Sequence, residues 1–244
     1  MNFGKLGFNW SLLTRSNIAG LLWPLHEKLS KRNLSQQQFH SILTSYIHKH
    51  IPVKTKKLIS AKVDAGHVWV GGTYYSDYDQ DQEKCIEILL VYKNKESPIS
   101  MSKQKYRKFC YTVADTILHE VIHMRQFRRR EFKNLPDYPS NASRSSQREE
   151  QSYIGNSDEI DAYSFNIACE LMDTFGNDST KVINYLNLNQ RGSRTKFNTW
   201  KMYLRAFNHD HDHAIIKRVK KKVIRYLPRA QEGKPFKSCD WICH

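Results

Sequence analysis

With 39% hydrophobic and 12% aromatic residues over a length of 244, the chain has enough apolar side chains to bury a core, which excludes a disordered protein. The longest apolar run, residues 85–92, is interrupted by Glu87 and is too short to cross a bilayer, so we expect a soluble, globular protein without a membrane-spanning segment. The 39 Lys and Arg residues outnumber the 24 Asp and Glu residues, and the resulting net charge of +15 makes a nucleic acid or another acidic partner plausible.

The first clear helix signal covers residues 35–50, where Ser35 and Gln38 have the spacing of a capping box and apolar residues then recur every three or four positions. Three segments after this helix have the composition of β-strands and are separated by turn-forming or polar residues. The predicted strands cover residues 58–63, 68–75 and 85–92. Together they predict a small antiparallel or mixed sheet.

A long helix is predicted over residues 103–130, with Glu120 and His123 on the same face as several apolar side chains. The polar stretch 133–155 predicts a long surface loop that is mobile or binds substrate. A second strong helix follows over residues 157–175. Shorter helices are predicted over 181–186, 197–207 and 213–227, before an irregular tail.

These elements predict an α+β fold with one main domain, because neither an internal repeat nor a linker interrupts them. We expect this domain to cover residues 1–180, and a basic helical extension, residues 181–244, to pack on it. The five cysteines show no spacing typical of a disulfide framework, so a reducing compartment is expected. The first thirty residues lack the features of a signal peptide, and we therefore expect a cytoplasmic protein, with association with a virion left open.

The sequence His119-Glu120-Val121-Ile122-His123 lies within the predicted long helix. Residues four positions apart lie on one face about one turn from each other, so both imidazoles can reach one metal ion. Glu120 is rotated by about 100° from His119, which keeps its carboxylate off the metal and lets it reach a bound water molecule. The residues around the motif are uncharged, as a buried active-site helix requires. A chance HExxH match on a solvated helix would not require uncharged neighbours. The pattern predicts His119 and His123 as zinc ligands and Glu120 as the general base.

The third ligand has to come from elsewhere in the chain. A metzincin motif would place a glycine at position 126 and a histidine at position 129, where this chain has Gln126 and Arg129. The next predicted helix instead contains an ExxA pattern, from Glu159 to Ala162. A helix with HExxH followed by a helix with ExxA resembles the gluzincin branch of the zincin peptidases, including phage-type and ImmA-like metallopeptidases, over residues 58–175.

The resemblance implies a zincin-like fold, in which the small sheet packs on the HExxH helix and on a second ligand helix. It makes Glu159 the third ligand of one catalytic Zn²⁺, and Ala162 the small residue that lets the two helices approach. Asp158 or Asp161 stays open as the ligand in place of Glu159. The implied reaction is peptide-bond hydrolysis, in which zinc lowers the pKa of its bound water towards about 7 and Glu120 carries the proton to the leaving amine.

The chain departs from the resembled pattern at one position. Several gluzincins have an Asp four residues after the ligand Glu, where it orients a zinc-bound histidine, and Tyr163 stands there in this chain. The group that orients a ligand histidine is therefore expected among Asp115, Asp158 and Asp161. Tyr153 and Tyr163 are the candidates for stabilising the oxyanion.

Three further features have both a functional and a structural interpretation. The predicted strand 85–92 is either the edge strand that binds an extended peptide or an ordinary core strand. The run of alternating His and Asp at 209–213 has groups that bind metals, but such a run is more typical of a polar loop that leads into a helix. Cys239, Cys243 and His244 lack a second cysteine pair at zinc-finger spacing, which indicates a tail with incidental thiols.

The last predicted helix has a strongly basic face opposite an apolar stripe. This face is either simply solvated or a contact for nucleic acid or an acidic protein partner. Its cations are Lys217, Arg218, Lys220, Lys221, Lys222 and Arg225.

The leading hypothesis is a zinc metallopeptidase that acts on a protein or peptide substrate. One alternative is a nucleic-acid-binding protein that uses the zincin core as a scaffold. The other is a virion or assembly protein with a structural or vestigial metal site.

Overall fold

A computed structural model of the protein describes residues 13–29, 34–93, 98–133, 146–188 and 198–231. Within these ranges the chain forms ten α-helices and one three-stranded mixed sheet, which confirms the predicted α+β class. The chain divides into two compact units at the C-terminal end of the longest helix, after Arg128. No helix in the described ranges combines the length and the apolar character that crossing a membrane requires.

The first unit contains the sheet and the longest helix. Its helices are α1 (Arg15–Leu22), α2 (His26–Leu29), α3 (Gln36–His50), α4 (Ser76–Gln80) and α5 (Lys103–Arg129), of which α5 ends at the boundary. Its strands are β1 (Lys54–Ile59), β2 (Trp69–Tyr74) and β3 (Ile86–Tyr92). The predicted capping box at the start of α3 is confirmed, since the side chains of Ser35 and Gln38 each accept a hydrogen bond from the other's backbone N–H.

The second unit is helical throughout its described part. Its helices are α6 (Gln147–Ile154), α7 (Ser157–Thr174), α8 (Ser179–Asn187), α9 (Asn198–Ala206) and α10 (Ala214–Ala230). The apolar stripe of α10, with Ile216, Val219 and Val223, is completely buried, and α10 packs along α7. A T-shaped ring contact between Phe165 and Tyr226, with centroids 5.5 Å apart, fixes this packing.

The sheet has the strand order β1-β3-β2, so β3 is its central strand. β3 pairs in parallel with β1 and antiparallel with β2, and every second side chain along it, from Ile86 to Tyr92, is fully buried. The interpretation of residues 85–92 as a substrate-binding edge strand is therefore wrong, because both edges of β3 already form backbone hydrogen bonds. The edge strand that runs antiparallel to β3 is β2.

The first strand begins four residues earlier than predicted, at Lys54 rather than at position 58. As an edge strand β1 is only half-buried or exposed along its length, and it includes Lys54, Lys56 and Lys57. A strand of this kind shows no alternation of apolar and polar residues. Its bounds are set by its pairing with β3, where Lys54 lies opposite Glu87.

The prediction of a continuous loop over 133–155 is wrong at its C-terminal end, where α6 forms. The side chains of Ser146 and Glu149 make a second capping box at the start of this helix. That spacing was present in the sequence as a helix-start signal. Residues 134–145 of the predicted loop lie outside the described residues.

Helix α5 is 27 residues long, and its buried side chains recur from Tyr106 to Phe127. Its side chains Ile117, Leu118, Val121 and Ile122 have no exposed surface, and each such burial contributes roughly 1.5–3 kcal/mol. Near the C-terminal end of α5, Nε and Nη2 of Arg128 each donate a hydrogen bond to the buried carboxylate of Asp79. The HExxH segment therefore lies in the buried C-terminal half of this helix.

Candidate metal centre

His119 and His123 meet on one face of α5, as their spacing predicts. The two Nε2 atoms lie 3.1 Å apart, and both side chains are buried. Two nitrogen ligands at ~2.0–2.1 Å from a tetrahedral ion lie about 3.3 Å apart. The imidazole pair thus has the separation that a shared metal ion requires.

Gln126 fixes the orientation and the tautomer of His123. The Nδ1–H group of His123 donates a hydrogen bond of 2.9 Å to Oε1 of Gln126, so the lone pair of His123 is on Nε2. At zinc sites, a group that holds the other ring nitrogen of a ligand histidine in this way points the ligand nitrogen at the metal. Sequence reasoning missed Gln126, although its position one helical turn after His123 is a signal for such a contact.

Glu120 is buried beside β2, and a glycine in that strand makes the close approach possible. A Cβ atom built on Gly72 would lie 2.7 Å from Oε1 of Glu120, 2.8 Å from its Cγ, and 2.7 Å from Cγ2 of Thr116. These distances are shorter than van der Waals contact, so only glycine fits here without a shift of Glu120. Strand β2 therefore runs directly against the predicted general base.

We expect Gly72→Ala to lower the hydrolytic activity that the HExxH motif predicts by about 10²-fold, because Glu120 has to move and a displacement of about 1 Å has that effect on catalysis. The side chain of Thr116 is held by the hydrogen bond of 2.9 Å that its hydroxyl donates to the backbone carbonyl of Thr112, so Glu120 is the group that moves. The measurement is kcat/KM together with the zinc content, which should stay that of the wild type.

The matched control for that variant is Gly71→Ala on the same strand. A Cβ at Gly71 would contact Leu89 at an ordinary 3.7 Å, so this variant should keep nearly full activity. Equal losses of activity in the two variants would show that any change in β2 is harmful, and that the contact of Gly72 with Glu120 has no special role.

The second predicted ligand helix is α7, which carries three buried acidic residues near its start: Asp158, Glu159 and Asp161. Both guanidinium N–H groups of Arg130 donate to Asp158, at 2.8 and 2.7 Å. The Nζ of Lys222 on α10 lies 2.6 Å from Asp161. Each of the two aspartates that were alternative ligands is thus neutralised by a cation of its own unit.

One group of three metal-binding side chains occurs among the described residues. The candidate ligand atoms of His119, His123 and Glu159 all lie within 4.8 Å of one another, and the three residues are buried. Two imidazole nitrogens and one carboxylate oxygen are a ligand set that zinc accepts at catalytic sites, where a fourth position is open. The residues present therefore fit a zinc ion.

Asp115, one of the three candidates for orienting a ligand histidine, is hydrogen-bonded to a side chain of α1. Arg15 donates two hydrogen bonds to its carboxylate, of 2.6 and 3.0 Å. Burial raises the pKa of Asp115, and the charge of Arg15 opposes that rise. Asp115 thus connects α1 to α5.

The two tyrosines considered for the oxyanion are both half-buried, Tyr153 on α6 and Tyr163 on α7. The ring of Tyr163 makes a T-shaped contact with that of Tyr203, at 5.9 Å between centroids. Burial raises the pKa of Tyr203, and the charge of Glu159 adds to the rise. Tyr203 on α9, which the sequence did not single out, is thus a neighbour of the predicted ligand.

The His and Asp run 209–213 serves local structure. His213 Nδ1 accepts a hydrogen bond from the N–H of Ile215 and caps α10, while the Asp210 side chain accepts one from the N–H of Asp212. The ring of His211 contacts that of Trp200. The predicted tail with Cys239, Cys243 and His244 lies outside the described residues.

The predicted basic face lies on α10. Lys217 pairs with Asp212 at 3.0 Å, and Lys222 pairs with Asp161. Lys220 is half-buried, and burial lowers its pKa. The remaining three cations, Arg218, Lys221 and Arg225, are exposed.

Comparison of the chain with models of protein families, with curated proteins and with solved structures gave no match. The resemblance to zincin peptidases therefore rests on the HExxH and ExxA residues.

Proposed function

We propose that this protein is a zinc-dependent hydrolase that cleaves peptide bonds, with His119, His123 and Glu159 as ligands and Glu120 as the general base. The observation that carries the proposal is the buried group of two imidazoles and one carboxylate within 4.8 Å, on a helix that also carries Glu120. Bound there, zinc would lower the pKa of a water molecule and polarise the scissile carbonyl.

Each residue has a role that its contacts support. His123 presents the lone pair of Nε2, because its Nδ1 proton is held by Gln126. The carboxylate of Glu120 lies against Gly72 of β2, where it could accept a proton from water and deliver it to the leaving amine. The burial of all these side chains excludes bulk solvent and strengthens their electrostatic interactions.

Strand β2 is the element that would align an extended peptide with Glu120. It lies at an edge of the sheet, and its Gly72 is in contact with Glu120. A peptide that adds to this edge by β-augmentation would bring its backbone next to the general base. The role that sequence reasoning considered for the strand at 85–92 thus passes to β2.

A structural metal is the competing proposal, and it makes a different prediction. A metal that only supports the fold would lower the thermal stability when it is removed, and no hydrolysis would depend on it. Glu120 distinguishes the two proposals. It is buried and next to His119 in sequence, but it is not one of the three candidate ligands, and a purely structural metal site does not need such a carboxylate.

The test is metal analysis of the purified protein combined with digestion of a mixture of defined peptides, read by mass spectrometry. We expect about one equivalent of zinc, loss of cleavage after treatment with a chelator, and recovery on addition of zinc. Cleavage that persists in metal-free protein would contradict the proposal. So would a zinc-loaded, folded protein that cleaves no peptide in the mixture.

A further inference from the structure

Helix α10 has an excess of positive charge that the proposed hydrolysis does not use. Its seventeen residues include seven cations and no acidic residue. The cations are Lys217, Arg218, Lys220, Lys221, Lys222, Arg225 and Arg229.

Three of these cations form a straight stripe along the outward face. Arg218, Lys221 and Arg225 follow the i, i+3, i+7 spacing that places side chains on one side of a helix. All three are exposed, and they lie opposite the buried apolar stripe that includes Val219 and Val223. We call this set the α10 stripe.

The two cations at the margins of this face are neutralised by aspartates, and the α10 stripe is not. Lys217 pairs with Asp212, and Lys222 pairs with Asp161. Within the described part of the chain, no carboxylate forms an ion pair with Arg218, Lys221 or Arg225. The stripe therefore presents three uncompensated charges to solvent.

The stability of the helix does not account for this arrangement. Like charges three and four positions apart, as in Arg218, Lys221 and Arg225, repel one another along a helix face. The charges therefore destabilise the isolated helix. Contact with another molecule would explain them, whereas helix stability does not.

We propose that the α10 stripe binds the phosphate backbone of a nucleic acid. From Arg218 to Arg225 the helix rises by about 10 Å, which corresponds to about three nucleotides of one strand of a duplex at 3.4 Å each. Exposed Arg and Lys side chains are the groups that contact phosphates irrespective of base sequence. The net charge of +15 adds long-range attraction for such a polyanion.

Two other acidic partners fit the stripe less well. A membrane-binding amphipathic helix inserts its apolar face into the lipid, but the apolar face of α10 is buried against the protein. Protein interfaces usually rely on buried aromatic or aliphatic anchors. Beside the stripe, Ile224 is the one large apolar side chain of α10 that is exposed, and only 37% of its surface is accessible.

The test uses the full-length protein and a fluorescent DNA duplex of about 20 base pairs, with binding followed by anisotropy between about 50 and 200 mM salt. The variant R218Q/K221Q/R225Q removes the stripe. We expect its affinity to fall at least tenfold at low salt, and the slope of log Kd against log salt to decrease by about 2.7, because three phosphate contacts are lost.

The matched control is K62Q/K105Q/K108Q, which removes three exposed lysines of the first unit and therefore the same net charge. It should retain the affinity and the salt slope of the wild type. Circular dichroism checks that each variant is folded, and the single variant Lys221→Glu replaces the triple variant if the latter is not.

Equal effects of the two triple variants would overturn the proposal, because only net charge would then matter. A wild-type protein that fails to bind the duplex at low salt would also overturn it. Binding of the wild-type protein to polyglutamate or to anionic lipid vesicles, but not to DNA, would overturn the proposal as well. Glu120→Gln should bind the duplex as the wild type does, so the outcome is independent of the proposed hydrolysis.

Discussion

Replacing Glu120 with glutamine is expected to abolish hydrolysis while the zinc content stays at about one equivalent. A general base contributes typically 10²–10⁴-fold to the rate, and an amide of nearly the same shape cannot accept the proton from water. Glu120 does not belong to the group formed by His119, His123 and Glu159, so the metal should stay bound. The measurement is kcat/KM on a cleaved peptide, alongside metal analysis.

The control for this experiment is Glu83→Gln, which makes the same chemical change at an exposed position. Its single ion pair, with Lys54 at 3.9 Å, is a surface interaction of little energetic value. It should behave as the wild type. If Glu120→Gln kept more than a tenth of the wild-type activity while both proteins bound zinc, Glu120 would not be the base.

The second large effect is expected at the ligands. His123→Ala should purify without zinc, because two remaining ligands cannot hold the ion against competing chelators. The same loss is expected for His119→Ala and for Glu159→Ala. Loss of a buried metal also lowers the thermal midpoint of unfolding, which gives a readout that does not depend on activity.

Gln126→Leu offers a graded version of the same test. It removes the acceptor of the Nδ1 proton of His123 and leaves all three ligands in place. Zinc affinity should fall by about 10–100-fold, the usual effect of removing the group that orients a ligand histidine. His67→Ala, which removes an exposed histidine in a turn, should leave the affinity unchanged.

Among the ligand variants, full zinc binding by Glu159→Ala would show that Glu159 is not a ligand.

Much of the first unit could be predicted because its signals are local. The capping box at Ser35 and Gln38 was visible in the sequence, and the helix it starts forms as expected. The predicted bounds of strand β1 were wrong, because this strand is defined by its pairing with β3, and lysines such as Lys56 and Lys57 do not indicate that pairing in the sequence. The contact between Gly72 and Glu120 was equally hidden, because the two residues are far apart in sequence and meet only through packing.

The sequence by itself determined the geometry of the imidazole pair, because the hydrogen bonds of an α-helix place residues 119 and 123 one turn apart whatever surrounds the helix. Only the tertiary structure decided which acidic residues near the start of α7 are engaged by cations, with Asp158 held by Arg130 and Asp161 by Lys222. Helix periodicity is set by backbone contacts within a few residues. The choice among neighbouring carboxylates depends on which cations the packing of distant segments brings within reach, and no spacing in the sequence encodes that.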